Sequence, residues 1–322
     1  MAQCRICGNS QGNTHYTARE MMYGSRDEFE YFECGNCGCL QIMAIPDDLQ
    51  KYYSTQYYSF KNQPLAPRTI LQKIYNNVKN QRVKCLVRNW KALGTLSFMI
   101  YGKPIPVWLK RMDISYSSHI VDIGCGSGSI LLSLQKSGYT NLVGIDPFIN
   151  DSIIYNERLK IIKQQLCELD GKYDLIMMHH SLEHIDNHTY IFKILRSLLN
   201  PGGTILIRTP IVSSFAWRKY KINWVQMDSP RHLYLHTVKS MKLLADQSSL
   251  KIVDIYFDST AFQFWGSEQY INDIPLLDMK SYRNNPRGSI FTDNLIKEFE
   301  RKSRELNASG DGDQACFYLK AV

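Results

Sequence analysis

From about residue 113 onward, short apolar runs alternate with stretches whose apolar residues recur every three or four positions. "HIVDIG" (119–124) and "NLVGID" (141–146) are compact apolar runs of strand length. Between them, "ILLSLQKSG" (130–138) spaces its leucines for one helical face and stops at a glycine. "YDLIMMHH" (173–180) reads as a further strand, followed by a helix containing Ile191, Ile194, Leu195, Leu198 and Leu199. "PGGTILIRTP" (201–210) turns and then extends. "TVKSMKLLADQSS" is a helix with Thr237 as N-cap, "LKIVDIYF" (250–257) a strand, and "DQACFYLKAV" (313–322) a last strand. Strands and helices in alternation predict an α/β protein built on a doubly wound, mostly parallel sheet.

The first 45 residues follow another pattern. "CRICGN" and "CGNCGC" supply Cys4, Cys7, Cys34 and Cys37, with 26 residues between the two Cys-x-x-Cys turns. A glycine follows each turn (Gly8, Gly38), which lets the backbone bend tightly beneath the sulfurs. Four thiolates so spaced predict a small ribbon closed around structural zinc, since a unit this short buries too little apolar area to fold alone. Cys39 is expected to be a packed spare thiol and His15 a surface residue.

Charge adds a third segment. The whole chain carries +8, yet residues 61–111 hold eleven Lys or Arg and no Asp or Glu. Within 46–112 an aromatic connector, "KYYSTQYYSF", leads into "PRTILQKIYNNVKNQRVKCLVRNW", where Leu71, Ile74, Tyr75 and Val78 predict an amphipathic helix. The short apolar run "LGTLSFMIYG" suits a membrane surface, a partner or packing on the main domain. A basic block of this length suits an acidic partner: nucleic acid, a phospholipid surface or a phosphate-bearing substrate. The alternative is a solvated helical face. No run is long enough to span a bilayer, the start "MAQCRICGNS" lacks a signal-peptide pattern, and paired cysteines suit a reducing cytoplasm. The expected organisation is a ribbon at 1–45, a basic helical linker at 46–112 and a main domain at 113–322, with an insertion at about 259–308.

The candidate chemistry begins at Gly124-Cys125-Gly126-Ser127-Gly128. This G-x-G-x-G lacks the spacing of dinucleotide binders and the Lys-Ser/Thr pair of a P-loop. Asp146 ends the next strand, where a carboxylate can accept from both hydroxyls of a ribose. "VDIGCGSG", "GIDP", "YDLIMMHHSLEHI" and "LLNPGGTILIRTP", in that order, resemble the class I S-adenosylmethionine-dependent methyltransferases over roughly 113–258. The resemblance implies a Rossmann-like sheet of seven strands, the last antiparallel, and S-adenosylmethionine as cofactor. It implies Gly124, Gly126 and Gly128 against the methionine part, Asp122 near its amino group, Asp146 on the ribose, and His179 beside the cofactor. Glu168 and Asp170 are the candidates at the adenine.

The reaction so implied moves a methyl from a sulfonium to a nucleophile whose proton must leave. The loop after the fourth strand, "HHSLEHIDNH", faces the methyl in that architecture. It supplies His180, Glu183 and His184, with His188 further on. His180-Ser-Leu-Glu183-His184 also matches H-x-x-E-H, a zinc-protease pattern, but that motif needs both histidines on one helix. "NWVQMDSPRHLYLHT" adds His232 as a base and Asp228, Arg231 and Tyr234 as acceptor contacts. The cysteine pairs, the "DSPRHLYLHT" loop and the "STAFQFWGSEQY" and "GDQACFYL" segments resemble a bacterial zinc-ribbon group linked to sugar and surface-glycan biosynthesis. That implies a small-molecule acceptor, a nucleotide- or lipid-linked sugar, with residues 61–111 against its diphosphate or at the inner membrane surface. Two alternatives stand beside it: an RNA methyltransferase docking through ribbon and basic segment, and a scaffold that binds the cofactor without turnover.

Overall fold

The computed structural model describes residues 2–53 and 106–322. The aromatic connector beyond Tyr53 and the basic segment before residue 106 lie outside the described residues. No helix among the described residues is long and apolar enough to cross a membrane. Contacts divide the chain into two compact units: residues 1–54, 179–196 and 206–322 form one, and 55–178 with 197–205 the other.

The first unit begins with β1 (Thr14–Arg19), β2 (Glu28–Glu33) and β3 (Leu40–Ile42), an antiparallel meander. The second unit holds β4 (His119–Ile123), α1 (Ser129–Lys136) and β5 (Asn141–Ile145). β6 (Ile153–Asn156), β7 (Leu159–Ile162) and β8 (Tyr173–His179) follow. β4 is buried from Ile120 on because parallel neighbours flank it, β5 with Ile123 opposite Ile145 and β8 with Asp122 opposite Met177. The chain thus leaves β4 toward β5 and later returns on its other side at β8. The loop after β4 therefore sits at a topological switch point, where open α/β sheets bind ligands.

α2 (His188–Leu198) gives way directly to β9 (Leu199–Pro210), so Leu199 belongs to the strand and not to the predicted helix. The tight approach there explains the change. A side chain at Gly203 would come within 2.9 Å of Leu199 and 3.1 Å of the Asp174 carbonyl, and Asn200 donates to the Asp174 carboxylate at 2.7 Å. Beyond β9 come α3 (Phe215–Tyr220), β10 (Tyr234–Leu235), α4 (Val238–Gln247) and β11 (Leu250–Phe257). α5 (Phe262–Ile271), α6 (Asp293–Ala308) and β12 (Gln314–Ala321) complete the chain. β12 lies antiparallel to β11, with Phe257 opposite Ala315. Thr237 caps α4 as expected: its Oγ1 accepts from the Ser240 amide at 2.9 Å, and Ser240 Oγ accepts from the Thr237 amide at 3.0 Å.

The larger sheet has eight strands, in the order β11-β12-β9-β8-β4-β5-β7-β6, and not the expected seven. The extra strand is β6, which folds back antiparallel on β7 with Ile153 opposite Ile161. The smaller sheet is β1-β2-β3-β10. Its fourth strand comes from the loop after β9, with Leu235 opposite Leu40, so the ribbon's sheet is completed from far along the chain.

The same unit contains a buried imidazole chain. His188 Nε2 lies 2.9 Å from the Leu182 carbonyl and so carries the proton it donates there. His188 Nδ1 then accepts from His236 Nε2 at 3.0 Å, and His236 Nδ1 faces Ser240 Oγ at 2.9 Å. This arrangement needs both rings neutral. Burial holds His188 down at about 4, and burial followed by the His188 charge holds His236 well below the ordinary imidazole range. Unfolded histidines take up protons near pH 6.5. Stability contributed by the pair is therefore complete above about pH 6.5 and is lost as pH falls toward 4. The expected loss from His188 alone is on the order of 3 kcal/mol across that window. Urea melts at stepped pH check this: the wild type should show the slope, and His188→Gln a shallower one.

Candidate functional site

The glycine loop after β4 is shaped by positive φ and by Asp146. Gly124, Gly126 and Gly128 sit at φ +71°, +54° and +77°. A side chain at Gly128 would also meet Ile161 at 2.5 Å, so that position excludes any other residue twice over. Asp146, buried at the end of β5, accepts from the Gly126 amide at 2.8 Å and from the Phe148 amide at 2.8 Å. Its carboxylate therefore helps hold the loop in shape. Asp122 is only 2% exposed, and its Oδ1 has no hydrogen-bond partner among the described residues. Burial, then the charge of Asp146, pushes its carboxyl up to about 8. A cationic ligand group at this spot would relieve both penalties. Glu168 instead closes a local capping box, donating nothing and accepting from the Gln165 amide at 2.8 Å, and Asp170 is exposed.

The first unit carries the acid and the imidazoles. Glu183 lies in a short 3-10 turn, Leu182–His184, and its side chain is fully buried. Its Oε2 accepts from Thr209 Oγ1 at 3.0 Å, and its Oε1 lies 3.2 Å from His180 Nδ1. Burial alone would raise this carboxyl, but the His180 hydrogen bond and the surrounding imidazoles hold it at about 2. His184 Nδ1 is 2.9 Å from the Arg231 carbonyl and 3.2 Å from the Tyr53 hydroxyl. The carbonyl fixes the proton on Nδ1 and leaves the Nε2 lone pair open. Burial, then His232, keeps this ring neutral down to about 4. His232 Nδ1 faces the Gln226 carbonyl at 2.7 Å, and its Nε2 lies 3.8 Å from an Asp228 carboxylate oxygen. The two rings stand edge to face with centroids 4.8 Å apart.

The structure thus gathers Glu183, His180, His184 and His232. The H-x-x-E-H pattern does not act as a helical pair, because residues 182–184 form one tight turn and His232 joins the group in place of His180. His179 follows at the end of β8, kept neutral to about 3 by burial and then by Arg208.

The other candidate residues of the 228–234 loop face protein groups. Arg231 is fully buried. Its Nε and one terminal nitrogen hold Asp228 at 3.1 and 2.6 Å, that nitrogen also reaches Glu20 at 2.9 Å, and the other donates to the Tyr52 carbonyl at 3.1 Å. The Tyr234 hydroxyl donates to Asp186. Sequence reading missed Glu20, whose oxygens also accept the amides of Met22, Tyr23, Gly24 and Ser25. It missed Thr209 too. Neither sits in a motif; only the fold brings them to Arg231 and Glu183.

At the ribbon, Cys4 Sγ and Cys37 Sγ are 3.6 Å apart and Cys7 Sγ and Cys34 Sγ 3.5 Å. Four thiolates at about 2.3 Å from one zinc ion lie some 3.8 Å from each other, so the spacing fits. The Ile6 amide and Gln41 Nε2 point at Cys4 Sγ, at 3.4 and 2.9 Å, and the Asn36 amide at Cys34 Sγ, at 3.4 Å, as donors to thiolate ligands do. Cys39 is buried beside His236 and apart from this set.

Comparison with known proteins finds likenesses to methyltransferases over part of the chain. Residues 105–255 match a family model described as a methyltransferase domain. A sterol 4-C-methyltransferase of Caenorhabditis elegans is 28% identical over 110 residues, 30% of this chain and 33% of that protein. A trans-aconitate 2-methyltransferase of an Acidovorax strain is 25% identical over 177 residues, 50% of this chain and 62% of that one. A solved mycolic acid cyclopropane synthase complexed with SAH and CTAB aligns with a TM-score of 0.45 and 15% identity, over 66% of this chain and 81% of that one. The chain therefore spans about a third and three-fifths of these two curated relatives' length.

Proposed function

We propose that residues 105–255, which match a methyltransferase-domain family model, form a class I S-adenosylmethionine-dependent methyltransferase domain, and that the protein transfers a methyl group to a small acceptor, a nucleotide- or lipid-linked sugar. The observation that carries the cofactor reading is the buried Asp122 oxygen without a partner among the described residues, beside a loop of three positive-φ glycines. The amino group of S-adenosylmethionine is the cation that such a carboxylate suits. Asp146 would hold the loop and meet the ribose, and the glycines would admit the methionine part.

The cofactor supplies an electrophilic methyl on a sulfonium. The chain's task is to orient the acceptor and remove its proton. Glu183, His184 and His232 serve that step: the neutral His184 imidazole presents its Nε2 lone pair, His232 stands edge to face beside it, and an anionic Glu183 stabilises the imidazolium that forms. Thr209 and His180 keep Glu183 in place. Asp228, Arg231 and Tyr234, engaged with Glu20 and Asp186, shape the acceptor loop more than they contact the acceptor. The sugar acceptor is supported by the resemblance of the paired cysteines and the 228–237 loop to the glycan-linked group. The basic residues 61–111 suit the diphosphate of either carrier.

Replacing Glu183 by Gln or His184 by Gln is expected to lower turnover roughly a hundred- to ten-thousand-fold, with cofactor affinity unchanged. Single-turnover transfer and cofactor titration on the same samples separate the two effects. Full turnover in both variants would remove this cluster from the reaction.

A further inference from the structure

We infer that Glu183, His184 and His232 form a second metal site, distinct from the four-cysteine cluster, which takes a divalent transition-metal ion through two imidazole nitrogens and one carboxylate oxygen. One ligand atom from each lies within 4.8 Å of the other two. A cation at about 2.1 Å from each donor would bring these atoms to roughly 3.0–3.4 Å of one another.

Three features separate this set from an ordinary acid–imidazole pair. First, no hydrogen bond joins Glu183 to His184 or His232 among the described residues; its oxygens face Thr209 and His180 instead. Three groups that can bind an ion stand close together without binding each other. Second, each imidazole sets its Nδ1 against a backbone carbonyl, His184 on Arg231 and His232 on Gln226, which leaves Nε2 as the second nitrogen of each ring, that of His232 lying 3.8 Å from an Asp228 carboxylate oxygen. Third, each ligand has its own outer partner, Thr209 Oγ1 for the carboxylate and the two carbonyls for the rings, as metal ligands commonly have. Two histidines and one carboxylate leave positions open for water or an acceptor oxygen, and this donor set suits iron(II), zinc or cobalt(II) over calcium or magnesium.

The inference stands apart from the methyl-transfer reading, since metal binding is measured without turnover. It also bears on that reading: an ion held by these imidazoles occupies lone pairs that would take the acceptor's proton. Metal loading is therefore expected to change how the acceptor is activated.

The test is equilibrium dialysis of zinc-loaded, full-length protein against micromolar cobalt(II), counting both metals per chain. The expected result is cobalt bound in addition to the zinc, and loss of that cobalt in both Glu183→Gln and His232→Gln with the zinc retained. No added cobalt in the wild type, or cobalt retained in both variants, would overturn the site. Should a variant fail to fold, the wild type still decides: bound cobalt should protect His184 and His232 from diethylpyrocarbonate, read by peptide mass spectrometry. Equal modification with and without cobalt would reject it.

Discussion

Asp122→Asn is expected to weaken S-adenosylmethionine binding at pH 8 by roughly 30-fold or more, the effect of removing one partner of a buried charge pair at about 2–5 kcal/mol. The fold should tolerate the change. The carboxylate is buried with an unpartnered oxygen, so a neutral amide of the same shape removes a penalty instead of a contact. The sign of the pH dependence follows from the same residue. Burial, then Asp146, pushes the free Asp122 carboxyl up to about 8, so at pH 7 it is mostly protonated. A bound ammonium group favours the carboxylate, so binding releases a proton and affinity rises with pH up to about 8. Above that, the ligand's own amino group begins to lose its proton, and the curve should turn over. Titration calorimetry in two buffers of different ionisation enthalpy reads the proton directly. A pH-independent affinity in the wild type, or an unchanged one in Asp122→Asn, would place the amino group elsewhere.

Replacing Cys7 and Cys34 together by Ser is expected to abolish zinc binding and methyl transfer while S-adenosylmethionine binding persists. Structural zinc contributes on the order of 10–16 kcal/mol to small cysteine folds, comparable to the whole stability of a domain. The loss should not stop at residue 45. Leu235 of β10 pairs with Leu40, Thr237 Oγ1 donates to the Cys37 carbonyl at 2.7 Å, and Glu20 holds Arg231. Arg231 in turn offers its carbonyl to His184, and the Leu233 amide donates to the Glu183 carbonyl at 2.8 Å. A loosened ribbon thus releases the loop that positions the imidazoles. Limited proteolysis would show cleavage both before residue 45 and within 228–237. A double variant with native turnover would mean the metal is dispensable to this unit.

What the sequence made legible was what is local. Strand β4, the glycine loop, α1 and β5 lie within 27 consecutive positions, and their periodicity alone places the loop at the end of a buried strand. The doubled cysteine spacing announced four converging sulfurs for the same reason. The Glu183–His184–His232 group was legible only as separate candidates, because His232 joins it through a loop whose register is set by β10 pairing with β3. Nothing in "YLHT" marks those two residues as an edge of the ribbon sheet. Arg231 read as an acceptor contact because its partner, Glu20, lies 211 positions earlier. Hairpin β6–β7 passed unnoticed: "IIYNERLKII" is short, half exposed and follows a stretch of polar turns.

The most direct test of the account is transfer of a tritiated methyl group. Purified protein and labelled S-adenosylmethionine would be incubated with extract from cells lacking the protein, and label counted in the soluble nucleotide, lipid and RNA fractions. The account predicts label in the nucleotide or lipid fraction with the wild type, and its loss with Glu183→Gln. Label confined to RNA would contradict the small-acceptor reading, and a protein that binds the cofactor but labels no fraction would contradict methyl transfer itself.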